Sequence, residues 1–281
     1  MEHPEHRAEG AGPFTTRLTW HRPEGGTVVW ESRPARKRGA LSVRDPGGAV
    51  AVSPTADAGA LDRLRRLNSL ASGAFFLGGM LFALGAAVAQ FGSGDPVESA
   101  SIYFAGGLFF TLGGYTSLLQ VLNAPRHSPA AGGALATTGW RWWGYEPMRL
   151  DWLSTFVLFA GTLVFGVNLL DSFLQGLTVQ QTNRLIWTPD VIGCVLFLVS
   201  GHLAFAEICH RSRPCVRSRS LGWWVVAVNQ FGSVLFMVSA LAAFTRPSTQ
   251  SLVNTDIANW GTLCGALCFA LGGVLQAFER P

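Results

Sequence analysis

Apolar residues run through the chain in six long stretches, separated by polar or arginine-rich intervals. The stretches lie near 69–90, 100–122, 152–174, 189–208, 222–244 and 257–278. Each is long enough to cross roughly 30 Å of hydrocarbon as a helix of about 20 residues. Each also carries one short phrase: GGMLFALG (78–85), GGLFFTLG (106–113), GTLVFGVN (161–168), GCVLFLVS (193–200), GSVLFMVS (232–239) and GALCFALG (265–272). A glycine (Gly78, Gly106, Gly161, Gly193, Gly232, Gly265) is followed four residues later by a phenylalanine (Phe82, Phe110, Phe165, Phe197, Phe236, Phe269). A small or polar residue stands three further on. Positions i, i+4 and i+7 share a helix face, so every segment presents a glycine, a ring and a small residue along one stripe. The expected fold is an all-α membrane protein, a six-transmembrane-helix bundle held by these Gly-x-x-x-Phe packing stripes.

The spacing of the phenylalanines orders the helices. Phe82 to Phe110 is 28 residues, Phe165 to Phe197 is 32 and Phe236 to Phe269 is 33, with wider gaps of 55 and 39 between these pairs. That alternation predicts three tandem hairpins. A two-by-three inverted repeat, the common transporter pattern, would give matching spacings in the two halves, and these do not match.

Composition agrees with a bilayer location. Charged residues make up 14% of the chain, hydrophobic ones 49%, and 33 glycines allow the close backbone approach on which membrane helices rely. Of the 21 lysines and arginines, only Arg184 and Arg246 fall on one face of the expected topology. The positive-inside rule then places both termini in the cytoplasm of a bacterial inner membrane and turns the loop GSGDPVESA outward. No cleavable signal peptide is visible, so the first span is expected to insert as an uncleaved anchor. The cysteines Cys194, Cys209, Cys215, Cys264 and Cys268 all avoid exported loops, which argues against an extracytoplasmic disulfide.

A basic head (1–66) precedes the bundle (67–281). Within it, RLTW (17–20) and GTVVWES (26–32) flank HRPEGG, the pattern of a short β-hairpin. RPARKRG (33–39) and DRLRR (62–66) are suited to set topology or to touch anionic headgroups, at about 1 kcal/mol per basic residue. The partners read from the sequence are the lipid bilayer and anionic lipid at this head, with a homo-oligomer as a further option and no nucleic acid.

The segments IYFAGGLFFTLGGYTSLLQ (102–120), NRLIWTPDVIGCVLFLVSGHLAFAE (183–207), NQFGSVLFMVSALAAF (229–244) and ANWGTLCGALCFALGGVLQ (258–276) resemble the YrhK-like domain family of bacterial membrane proteins. The resemblance covers most of 68–278 and implies paired helices and a membrane location. It implies no catalytic activity.

Ionisable residues inside a span are costly and are functional candidates by default. His202, Glu207 and Cys209 form one such set, with His210 and the second thiol of CHRSRPC (209–215) nearby, and they are the weak metal-ligand candidates of the chain. The alternative is a histidine bonded to a neighbouring helix. Asn168, Asn229 and Gln230 join His202 as residues that would line a polar pathway, or else act as interhelical hydrogen-bond partners. Cys264 and Cys268 read as small packing residues. Asp151, Asp171 and Asp190 sit at expected span ends, with Asp190 in the first turn of span four and Trp187 beside it at the interface. WRWWGY (140–145), Trp152, Trp223 and Trp224 form an aromatic belt.

No P-loop, Gly-x-Ser-x-Gly, HExxH or dinucleotide fingerprint is present, and no acid stands near a span midpoint. The sequence therefore implies no cofactor and leans away from an enzyme. Three functional readings follow: a structural or scaffolding membrane protein, a channel or carrier for a small solute, and a metal-dependent membrane protein using His202, Glu207 and Cys209.

Overall fold

The computed structural model describes residues 7–21, 25–44, 47, 50–54, 58–92, 96–127, 135–136, 139–213 and 215–279. Six helices are long and apolar enough to cross a membrane: α2 (Ala58–Phe91), α3 (Pro96–Leu122), α4 (Leu150–Asp171), α5 and α6 (Val179–Thr182 and Thr188–Cys209, continuous through a π turn at Asn183–Trp187), α7 (Leu221–Ala242) and α8 (Thr255–Phe278). The chain is a multi-pass membrane protein with large apolar side chains such as Leu77, Leu84, Leu108, Leu163, Val199 and Leu271 on its outer surface.

The helices form a closed ring. Each packs on the next in chain order, and α8 returns to pack along α2. Within the hairpins α2/α3, α4/α6 and α7/α8 the stripe glycine of one helix receives the stripe phenylalanine of the other, and the exchange is reciprocal. A Cβ added at Gly78 would meet Phe110, and one at Gly106 would meet Phe82. Gly161 and Gly193 stand in the same relation to Phe197 and Phe165, and Gly232 and Gly265 to Phe269 and Phe236. The closing seam uses different glycines. A Cβ at Gly79 would lie 2.7 Å from the carbonyl oxygen of Ala266, and one at Gly273 2.8 Å from that of Ser72. Backbone therefore lies against backbone between α2 and α8.

The six rings converge on the axis. Phe82, Phe165 and Phe236 stand 5.7, 6.3 and 6.5 Å apart by ring centroids. Phe110 and Phe197 lie 5.5 and 6.0 Å from Phe269. The odd-numbered spans thus contribute one triad and the even-numbered spans the other, and the hairpins repeat around the axis three times. The void between these rings, of about 10 Å³, is at the limit for a single water.

The N-terminal segment is more than a hairpin. β1 (Arg7–Ala11), β2 (Phe14–His21), β3 (Thr27–Glu31), β4 (Ala40–Arg44) and β5 (Val50–Pro54) form a five-stranded antiparallel sheet in chain order. β2 and β3 pair with Arg17 opposite Glu31; residues 22–24 of the expected turn lie outside the described residues. Trp20, Val28 and Leu41 pack against Leu18 and Trp30 as a small core. Between β3 and β4 runs a two-turn helix, α1 (Ser32–Arg38), which ends because Gly39 adopts the left-handed conformation at φ 57°. DRLRR belongs to α2, which begins three turns before the expected span and holds Arg63, Arg65 and Arg66 exposed. Outside the sheet domain the described regular structure is helical, apart from a two-residue pairing of β6 (Arg126–His127) with β7 (Leu135–Ala136) and a single bridge between Thr245 and Leu252.

Candidate functional site: a plugged axial cavity

On the head side of the phenylalanine triads the ring encloses a cavity of about 100 Å³. Its walls repeat from hairpin to hairpin. Seven residues headward of each stripe phenylalanine stand Phe75, Leu158 and Asn229 on the odd-numbered spans, and Ser117, Ala204 and Gln276 on the even-numbered ones. All six line the space. Ser154, Thr155, Ser200 and Ser233 add hydroxyls, each donating to a backbone carbonyl at 2.9–3.1 Å.

The headward mouth of the cavity is filled by α1. Arg36 donates to both oxygens of Glu207 at 3.1 and 2.9 Å, and Ser32 donates to the same carboxylate at 2.8 Å. Arg33 forms a bidentate pair with Glu279 at 2.8 and 2.7 Å. Lys37 donates to Oδ1 of Asn68 at 2.8 Å, and Asn68 donates in turn to the carbonyl of Gln276. Glu207 and Glu279 stand ten residues past Phe197 and Phe269, and the matching position after Phe110 is Gln120, which donates to the carbonyl of Leu64. Two of the three equivalent positions thus receive the head. Gly222 permits the fit, since a Cβ there would lie 2.6 Å from Glu279 and 2.8 Å from Arg33.

Burial opposes the charge on Arg33, but the adjacent Glu279 carboxylate overcomes it and holds the guanidinium above its ordinary range. Glu279 is buried as well, and Arg33 keeps it below the usual carboxylate range. Among the described residues Lys37 has no carboxylate in hydrogen-bond contact: burial pushes the ammonium well below its ordinary value, the nearby charge of Glu279 and more weakly of Glu207 acting the other way and Arg36 and Arg33 adding to the fall. A second latch sits at the rim. His210, at the C-terminal end of α6, takes up φ 51° and places its ring nitrogens 2.9 Å from the Thr16 hydroxyl and 3.1 Å from Glu31. The hydrogen bond from His210, and the charges of His210, Arg17 and Arg217, draw Glu31 below the usual carboxylate range.

Several sequence expectations change at this site. RPARKRG is not a uniformly exposed run: Arg36 and Lys37 are 5% and 3% exposed, because α1 inserts between helix ends, while Arg38 stays exposed. His202, Glu207 and Cys209 do not form a metal centre. His202 is exposed on the outer face, Glu207 is committed to Arg36 and Ser32, and Cys209 is disulfide-bonded to Cys215. Among the described residues no group of three His, Cys, Asp or Glu is placed to hold a metal. Of the four polar-lining candidates only Asn229 lines the cavity. Gln230 donates to Leu198 on α6 at 3.4 Å, and Asn168 is buried beside Ser172 on the far side of the triads. Asp190 stands in the first turn of α6, but the span does not start there, because the helix runs on from Val179 through the π turn. The π turn is tied down by Asn183, which bonds both backbone groups of Thr245, and by Trp187, which donates to Ala240.

The residues that sequence reasoning missed are those of α1, with Asn68 and Glu279. A run of cations directly after a strand carries no mark of burial; the available signal was the repeat itself, which puts glutamate at two equivalent places. The chain matches no family model, and no curated protein or solved structure is similar to it.

Opening the Cys209–Cys215 bond has a calculable cost. It closes a loop of six residues' separation, and loop-closure entropy gives about 2 kcal/mol for a ring of this size. Cys215→Ser is expected to lower stability by that amount under non-reducing conditions and by nothing in reductant, as read by denaturant titration of the purified protein.

Proposed function

We propose that the protein is a channel or carrier for a small solute, held here in an occluded state with its pathway along the ring axis. The observation that carries the reading is the cavity on that axis, lined by charged and hydroxyl side chains among apolar ones and bounded by two aromatic triads on one side and by α1 on the other. Stacked apolar rings of this kind gate by excluding water. An assembly role through glycine stripes has less support, because all six stripes are spent inside the ring.

The test uses a single cysteine at 229 in a variant lacking the native cysteines, with a thiol reagent applied from the head face. Reaction is expected to be slow and to accelerate about 10-fold when Glu279→Gln loosens the plug. No reaction in either form would mean that the cavity never opens, and would return scaffolding as the working account.

The same proposal takes the membrane to be a bacterial cytoplasmic membrane with both termini inside, and the chain to be of YrhK-like type. What supports the orientation is the arginine distribution; exposed Arg38, Arg217 and Arg219 around the plug suit anionic headgroups. The Cys209–Cys215 pair tests it. This orientation requires that in cells alkylated before lysis both thiols, bonded to each other in the structure, be recovered alkylated, since cytosolic thiols are kept reduced. An intact bond would put the head on the oxidising side.

A further inference from the structure

We infer that the axial cavity is a binding site for one small monovalent anion, with Lys37 as its charge partner. The inference rests on the pathway reading above and names what enters. Three cations of α1 reach the cavity, Arg33, Arg36 and Lys37, and two carboxylates answer them. Each carboxylate is taken by an arginine. Lys37, 3% exposed, hydrogen-bonds among the described residues only to the neutral side-chain carbonyl of Asn68. A buried ammonium without a carboxylate in contact is costly: Glu279 and Glu207 attract it only from a distance, each being bonded to an arginine, and burial outweighs them and drives it towards the neutral form. One anion in the cavity would supply the missing charge.

The hydrogen-bond inventory points the same way. Among the described residues Arg36 Nε and Gln276 Nε2 are buried donors with no partner, on side chains 5% and 7% exposed that both line the cavity; one lining acceptor, Asn229 Oδ1, is also without a partner, so unused donors still exceed unused acceptors there. Unused donors beside an unanswered cation call for an acceptor. The hydroxyls of Ser154, Ser200 and Ser233 now serve local carbonyls and can turn inward at small cost, because a hydroxyl proton rotates to suit its partner. Size and charge set the class. About 100 Å³ holds a halide, nitrate or formate with a water, but no phospholipid headgroup. The single excess positive charge matches a monovalent ion.

The test titrates the purified full chain with sodium chloride, nitrate and formate against sodium gluconate at constant ionic strength. At least one small anion should raise Tm by several degrees and saturate, while gluconate, too large to enter, should not. Lys37→Met keeps the stem volume and removes the charge; its Tm in gluconate should exceed that of the wild type, and the saturating rise should vanish. Gln276→Leu should retain the rise with half-saturation moved about 10-fold higher, the loss of about 1.4 kcal/mol. No saturating rise in the wild type, or one that survives Lys37→Met, overturns the inference. Saturable binding without any reactivity at 229 would leave the site standing and remove transport. Reactivity at 229 without saturable binding would do the reverse.

Discussion

Glu207→Ala is expected to lower the stability of the protein by about 3–5 kcal/mol, the usual cost of leaving one member of a buried ion pair alone. Arg36 would be left among helix ends without its own carboxylate, Glu279 nearby being bonded to Arg33, and its Nε is already without a partner among the described residues. Ser32 would lose its acceptor as well. The cost is one of desolvation rather than of the pair's own strength, so the double variant Glu207→Leu with Arg36→Met should recover most of it. Unfolding of the detergent-solubilised protein, followed for wild type, single and double variants, measures both. If the single variant matches the wild type, α1 is not seated where the structure places it.

Gly79→Leu should be the most damaging glycine substitution in the ring, with a loss of about 3 kcal/mol or more. The new side chain would begin 2.7 Å from Ala266 O and Ala270 N, backbone atoms that cannot rotate aside, so α2 and α8 must part and the ring opens. Gly193→Ala should be far milder, because the nearest atom is an edge of the Phe165 ring at 2.9 Å, which can turn. Gly73, on the same helix as Gly79, has nothing near it, and Gly73→Ala should stabilise by about 0.5–1 kcal/mol through helix propensity alone. Thermal unfolding of the three variants orders them. Equal effects at 73 and 79 would place the α2/α8 seam elsewhere.

The bundle was legible because its signal is periodic. Six apolar runs of bilayer length need no tertiary information, and Phe82, Phe110, Phe165, Phe197, Phe236 and Phe269 mark one register that the structure keeps on the axis. Ring closure was less legible, since Gly79 and Gly273 sit next to stripe glycines and look like part of the same motif. The site was the least legible. Arg33, Arg36 and Lys37 have the composition of a solvated flank, and their burial depends on carboxylates roughly 170 to 250 residues away in sequence. His202 shows the opposite error: a histidine on an apolar helix suggests an interior role, and here it is exposed on the outer face. Neither outcome could be read from local pattern, because both depend on which face of a helix end meets the head.

A ring built from three separate copies of one hairpin would carry every axial side chain three times. A lysine at its mouth would bring two more, and a glutamate likewise. Here the three hairpins are joined in one polypeptide, so equivalent positions are free to differ: Gln120, Glu207 and Glu279 in one layer, Ser117, Ala204 and Gln276 in another. That freedom lets a single α1 enter off-centre, leave one of three equivalent positions to the bundle itself, and bring one unanswered charge to the axis. Covalent linkage, in this protein, converts a threefold-repeating ring into one with a distinguishable side.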